Sequence, residues 1–227
     1  MRVPLSKYGL PQVVVYPLVL LLAMGVLAFG AGAALDLRAL LAAELLLALA
    51  LVWILSFFRD PRRDCPSDKN LVLAPADGRI TDIESVVEEG FIGGAALRIG
   101  IFLSVFDAHI NRAPCNARVA KVVYRQGRYT NAMNPESARV NESNDLGLVR
   151  RDAPTDRVLV RQISGAIARR IVCDTVEGRD LAAGEKFGMI KFGSRTELYL
   201  AARENARCLA RVGDKVKAGL TALARYE

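Results

Sequence analysis

The sequence contains a single histidine, His109, a single tryptophan and only four cysteines, Cys65, Cys115, Cys173 and Cys208. No two cysteines form a Cys-x-x-Cys pair, and one histidine cannot complete a zinc constellation, so no metal site is expected. An even number of thiols leaves a disulfide framework formally open, but a cytoplasmic setting favours reduced cysteines. Aromatic residues make up 7% of the chain, with no module of stacking aromatics interleaved with basic residues. Nucleic acid is therefore not expected as a partner. Charge is absent where it matters most. From Val13 to Leu35 no residue is charged, and from Ala39 to Phe58 only Glu44 is.

Each uncharged run has about the 20 residues that a helix needs to cross a bilayer core. Residues 1–58 thus read as an N-terminal transmembrane helical hairpin with a short Gly/Ala-rich link. Arg2 and Lys7 precede the first run, and Arg59, Arg62 and Arg63 follow the second. The positive-inside rule then places both ends, and the domain that follows, on the cytoplasmic side of the inner membrane. Two alternatives remain. A secretory signal cleaved near Ala31-Gly32-Ala33-Ala34 is disfavoured by the long apolar core and the immediate second run. A hairpin entering one leaflet without spanning stays open, given Tyr16-Pro17 in the first run and Glu44 in the second. Formal net charge is +7, of which residues 1–58 carry +1. The remaining basic excess fits an anionic lipid surface, at about 1 kcal/mol per well-placed cation.

Residues 59–70 are charged, carry Pro61 and Pro66, and read as a linker. Residues 71–227 read as one mainly β domain, α+β overall once the helices are counted. Val72-Leu73-Ala74 precedes a turn at Asp77-Gly78, Leu97 to Leu103 forms a buried strand, and Ala117 to Tyr124 alternates at period two. Arg157 to Ser164 and Ala168 to Cys173 read as a strand pair around Gly165. Phe187 to Phe192 and Glu197 to Leu200 flank Gly193-Ser194. A short repeat, Gly178 to Gly184 and Gly213 to Gly219, follows the pattern G-x-x-[LV]-x-A-G. It is similar to the turns of lipoyl-type domains, so a lipoyl-like barrel-sandwich is the expected fold.

Gly193 lets the chain take a strained turn, in which the Ser194 hydroxyl can reach the carbonyl of its own preceding peptide. Such a turn permits self-cleavage. Serine needs a base, and His109 is the only side chain whose unperturbed pKa lies near cytoplasmic pH. Asp77 can orient the imidazole, as in other Ser-His-Asp sets. Asp77 can equally be a plain turn residue before Gly78, and Asp107 is a rival orienting group. His109 can equally be a buried, hydrogen-bonded core histidine.

Five blocks carry a resemblance: Ala74 to Gly78, Ile101 to Pro114, Gly127 to Ala132, Asn141 to Asn144, and Gly193-Ser194. In this order they resemble the phosphatidylserine decarboxylases, and in particular the short form, with Asn111-Arg112 after the histidine. The resemblance implies that Asp77, His109 and Ser194 form a catalytic triad. It implies self-cleavage between Gly193 and Ser194 into residues 1–193 and 194–227, through an ester and then dehydroalanine. A covalent pyruvoyl cofactor derived from Ser194 is left on the small chain, which stays as partner of the large one. That group serves as electron sink in converting membrane phosphatidylserine to phosphatidylethanolamine and carbon dioxide. His109 has a second implied task, protonating the carbanion equivalent. Arg112 stands where longer relatives carry a second histidine, and it reads either as a carboxylate or phosphate ligand or as a salt bridge. Arg128, Asn131 and Asn144 fall in resembling blocks as candidate substrate contacts. A homodimer is left open. Two other functions remain: a pyruvoyl decarboxylase for another headgroup, and a membrane-tethered lipoyl-like carrier or adaptor with Lys191 as the modified lysine.

Overall fold

The computed structural model describes residues 4–31, 36–131, 133–134, 136–166, 170–191, 193–203 and 206–227. Phe192, Ala132, Ala168 and residues 32–34, on which parts of the sequence reading fall, lie outside them. The chain divides into two compact units, Met1–Pro61 and Arg62–Glu227.

In the first unit, α1 (Gln12–Val26) continues into a π-helical turn at Leu27–Ala31, and α2 (Leu37–Phe57) follows. Asp36 starts α2 by accepting the Arg38 amide at 3.1 Å, the usual device for an otherwise unsatisfied helix N-terminus. Two helical stretches, Gln12–Gly30 and Leu37–Phe57, are long and apolar enough to cross a membrane, with mean hydropathies of 2.5 and 2.4. The end of α2 is tied to the N-terminal segment. Ser6 donates its amide to the Phe58 carbonyl at 2.9 Å, and the rings of Phe57 and Phe58 meet edge-on with centroids 5.0 Å apart.

The second unit is mainly β. Its strands are β1 (Leu71–Leu73), β2 (Gly78–Glu88), β3 (Gly94–Leu103), β4 (Ile110–Arg112) and β5 (Ala117–Arg125). After the short α3 (Ser137–Val140) come β6 (Ser143–Arg150), β7 (Arg157–Ile163), β8 (Arg170–Cys173), β9 (Asp180–Leu181) and β10 (Lys186–Lys191). The last are β11 (Ser194–Ala201), β12 (Ala206–Cys208), β13 (Lys215–Val216) and β14 (Ala222–Tyr226). Eight of them form one sheet in the order β13-β2-β3-β11-β7-β6-β5-β9, while β1-β14-β12 and β4-β10-β8 form two smaller sheets.

Two expectations change. The segments around Gly165 do not pair with each other. Both edges of β7 are already hydrogen-bonded, to β11 and β6, so β8 joins β10 in another sheet. The strand expected from Glu197 also starts earlier, because β11 begins with Ser194, opposite Leu103 of β3. The repeated glycine motif does form matching turns: Gly178, Gly184, Gly213 and Gly219 all have φ between 72° and 95°.

Alternation at period two gives the large sheet two unlike faces. One face carries Ile99, Ile101, Leu146, Leu148, Val158, Val160, Leu198 and Leu200, all buried in the core. Each such side chain contributes about 1.5–3 kcal/mol by leaving water. Further along the same face, toward the start of β11, the residues become polar: Asn144, Gln162, Thr196 and then Ser194, every one buried. An apolar core that turns polar at one end marks where the sheet stops serving stability alone.

Candidate active site

One hydrogen-bonded layer fixes the geometry of that polar end. Thr196 and Gln162 stand directly opposite each other on β11 and β7. Both bond Asn111 of β4: Gln162 Nε2 donates to Asn111 Oδ1 at 2.9 Å, and Asn111 Nδ2 donates to Thr196 Oγ1 at 3.2 Å. Asn144 Nδ2 extends the layer, donating to Gln162 Oε1 at 3.1 Å. Side chains two residues apart on a strand share a face. Toward the start of β11 the next side chain on that face after Thr196 is therefore Ser194, and toward the start of β4 the chain leads from Asn111 through Ile110 to His109, just before the strand. The connectivity agrees. The loop from β3 to β4 and the turn from β10 to β11 leave the same strand ends, since β3 pairs with β11 and β4 with β10. The pairings thus put His109, just before β4, and Ser194, first in β11, both fully buried, toward the end of the β unit where these two strands begin.

Gly193, just before the serine, has φ +62°, in the left-handed region that costs other L-residues about 1–2 kcal/mol. Space is not the reason for glycine here, because an added Cβ would meet only Val105, at 3.9 Å. Backbone conformation is the reason. The Ser194 hydroxyl is buried and has no hydrogen-bond partner among the described residues. An unmet buried hydroxyl costs about 1–3 kcal/mol, and native proteins keep few of them outside functional sites.

His109 is fully buried. Its Nδ1 lies 2.9 Å from the Asp107 carbonyl oxygen. A carbonyl only accepts, so in the neutral ring Nδ1 carries the hydrogen and Nε2 carries the lone pair that a base needs. Asp107 therefore orients the ring through its backbone. Its carboxylate is engaged elsewhere, accepting the Ser104 amide and hydroxyl, both at 2.8 Å. That local turn presents His109 at the start of β4.

Asp77 is also buried, in the turn before β2. Its carboxylate takes two hydrogen bonds from Arg63, at 2.7 and 2.6 Å, and one from the Ala218 amide at 2.8 Å. The turn is joined to β4, because the Pro75 carbonyl accepts the Arg112 amide at 2.9 Å. Arg112 lies on the opposite side of β4 from Asn111, and its guanidinium donates to the Gly184 carbonyl at 2.9 Å. Arg128 and Asn131 are exposed on the segment between β5 and α3. That segment is anchored near the serine by Asn141, which donates to the Ser164 carbonyl at 2.7 Å. Of the four candidate substrate residues, Asn144 is the one built into the layer beside the serine.

The sheet's other face carries a charge network that the sequence did not reveal. Arg195, fully buried, bonds Asp82 at 2.7 and 2.8 Å, Glu197 at 2.9 Å and the Thr81 hydroxyl at 2.8 Å. It reaches Asp82 by crossing Gly100 of β3, where a Cβ would collide with the guanidinium. Glu197 accepts the Tyr199 hydroxyl at 2.6 Å. Burial alone would raise the Asp82 pKa, yet hydrogen bonds from Thr81 and Arg195 and the charges of Arg195 and Arg98 hold it below the ordinary value. Removing one partner of such a pair costs about 3–5 kcal/mol by stranding the other. The first residue after the serine is thereby clamped to its sheet.

A family model described as phosphatidylserine decarboxylase matches residues 51–224. The chain belongs to this family. Similar proteins named phosphatidylserine decarboxylase proenzyme include one from Rhodopirellula baltica, 47% identical over 188 residues, covering 82% of this chain and 76% of that one. Another, from Symbiobacterium thermophilum, is 45% identical over 182 residues, covering 79% and 80%. A third, from Carboxydothermus hydrogenoformans, is 42% identical over 183 residues, covering 81% and 84%. The family match takes in Asp77, His109, Gly193 and Ser194 and leaves out residues 1–50.

Proposed function

We propose that the chain is the proenzyme of a phosphatidylserine decarboxylase, which cuts itself between Gly193 and Ser194 and forms phosphatidylethanolamine and carbon dioxide. The observation that carries this reading is the buried Ser194 hydroxyl, without a hydrogen-bond partner among the described residues, after a left-handed glycine and toward the end of the β unit where His109 also lies. His109 Nε2 takes the serine proton as Oγ attacks the Gly193 carbonyl, and the Asp107 carbonyl holds the ring for that transfer. Asp77 supplies a fixed negative charge from the turn next to β4. The junction suits a group made from the serine itself, since a hydroxyl without partners among the described residues gives up no hydrogen bond to them on conversion. A pyruvoyl group at position 194 supplies the electron sink for decarboxylation. Arg195 and its ion pairs keep the new N-terminal strand in place after the cut. Asn144 lines the polar end, and Arg112, Arg128 and Asn131 are candidate headgroup contacts.

The two apolar helices of residues 1–58 read as a membrane hairpin, with the linker 59–70 and the catalytic domain 71–227 on the cytoplasmic side. That placement gives the enzyme access to phosphatidylserine in an anionic surface. The paired glycine turns favour a lipoyl-like sandwich. The carrier function does not fit Lys191, which is 3% exposed at the end of β10, whereas a modified lysine must swing freely. Burial and the neighbouring Arg170 also hold its pKa below the ordinary value.

Purified full-length protein, run on a denaturing gel and assayed on vesicles containing phosphatidylserine, tests the reading. Two chains and release of carbon dioxide are expected. A single intact chain with full activity would overturn it.

A further inference from the structure

The β unit contains a second copy of the Asp77 turn, and the two copies differ in charge. Ala74-Pro75-Ala76-Asp77-Gly78-Arg79-Ile80 is matched by Ala113-Pro114-Cys115-Asn116-Ala117-Arg118-Val119. The match extends to the partners. Gly78 and Arg79 pair with Val216 and Lys215, and Ala117 and Arg118 pair with Leu181 and Asp180. The Gly219 amide donates to the Ala74 carbonyl at 2.9 Å, and the Gly184 amide to that of Ala113 at 2.8 Å. Gly213 and Gly178 donate to the carbonyls of Ile80 and Val119, both at 2.8 Å. The side chains match as well: Asp77 Oδ1 accepts the Ala218 amide at 2.8 Å, and Asn116 Oδ1 accepts the Ala183 amide at 2.8 Å.

The Asn116 copy shows that an amide oxygen closes this turn without a charge. The carboxylate at position 77 is therefore not required by the turn. What it adds is bound by Arg63: Nη1 and Nη2 each take one carboxylate oxygen, and Nη1 also donates to the Ala218 carbonyl at 2.7 Å. The Arg63 and Asp77 side chains are 6% and 11% exposed. A forked guanidinium fixes both the position and the rotation of a carboxylate, which a single point charge cannot do. A buried carboxylate left alone would instead reorient toward water or take up a proton.

We infer that Arg63 is a positioning residue of the self-processing site, holding the Asp77 carboxylate in one orientation beside β4. The inference rests on the reading of Asp77 as a member of that site. It also gives Arg63 a role other than that of a free basic residue flanking an apolar helix.

The test uses the full chain made by cell-free synthesis, following appearance of the 194–227 fragment with time and the melting temperature of each variant. Asp77→Asn should fold, because Asn116 makes the same bond, yet cut at least about 100-fold more slowly, as expected when a charged orienting group becomes neutral. Arg63→Met should cut about 10–100-fold more slowly, the scale of a misplaced catalytic group. Arg63→Lys, which restores charge without the fork, should regain the melting temperature but recover only a small part of that loss. The double variant Arg63→Met/Asp77→Asn strands no buried charge, so it should melt near the wild type and still cut as slowly as Asp77→Asn.

Wild-type cutting by folded Asp77→Asn would remove Asp77 from the site, and the inference with it. Slow Asp77→Asn beside normal Arg63→Met would overturn the role of Arg63 alone. Arg63→Lys as fast as the wild type, or recovered cutting in the double variant, would reduce the pair to a structural ion pair and overturn it as well.

Discussion

Ser194→Ala is expected to give one uncut chain of 227 residues and no measurable release of carbon dioxide. Alanine lacks the oxygen that attacks the Gly193 carbonyl, and it lacks the β-oxygen whose departure leads to the pyruvoyl group. The loss should not come from unfolding. The serine hydroxyl makes no hydrogen bond among the described residues, so its removal strands no partner and should leave the melting temperature unchanged or slightly higher. Loss of function without loss of stability distinguishes a reacting group from a packing group. Ser194→Cys is a useful companion. A thiol can make the acyl shift, so some cutting is expected, but little or no pyruvoyl group. A denaturing gel and a headspace assay for carbon dioxide read both variants. Full activity from an uncut Ser194→Ala chain would end the account.

His109→Ala should leave the chain largely uncut, with the cutting rate lowered by about 100- to 10,000-fold, the usual contribution of a positioned base. His109 lies just before β4, with Nδ1 held by the Asp107 carbonyl. His109→Gln is the better-packed companion for a fully buried position and should be equally slow, because an amide cannot accept the proton. Time courses of the small fragment measure both. Cutting at the wild-type rate by either folded variant would show that another group removes the serine proton.

Much of the site was legible because its chemistry depends on rare residue types. A single histidine in the whole chain, and a glycine-serine step between two apolar runs, drew the reading to His109 and Ser194. Their placement toward one end of the β unit was not legible. It follows from β4 and β11 lying in different sheets and from a layer of Asn111, Gln162 and Thr196 that only tertiary pairing assembles. A continuous apolar run marked β3 and period-two alternation marked β5, but strand partners are not local information. That is why the segments around Gly165 read as a pair when β7 in fact has both edges filled. Arg63 read as one of three basic residues after an apolar helix. Its burial against Asp77 depends on a contact across 14 residues. Arg195 carried no signal either, because its partners Asp82 and Thr81 come from a distant strand. The repeat of glycine turns was visible in sequence at its second half only. Its first half, Ala74 to Ile80 against Ala113 to Val119, emerges once the hydrogen bonds are compared.

The most direct measurement is the mass and end-group chemistry of the small chain. Residues 194–227 should be lighter than the simple hydrolysis product by one ammonia, resist amine-directed sequencing, and react with hydroxylamine or borohydride with loss of activity. A small chain that begins with an ordinary serine amine, or an active protein that yields no small chain, would contradict the self-generated pyruvoyl group on which the whole account rests.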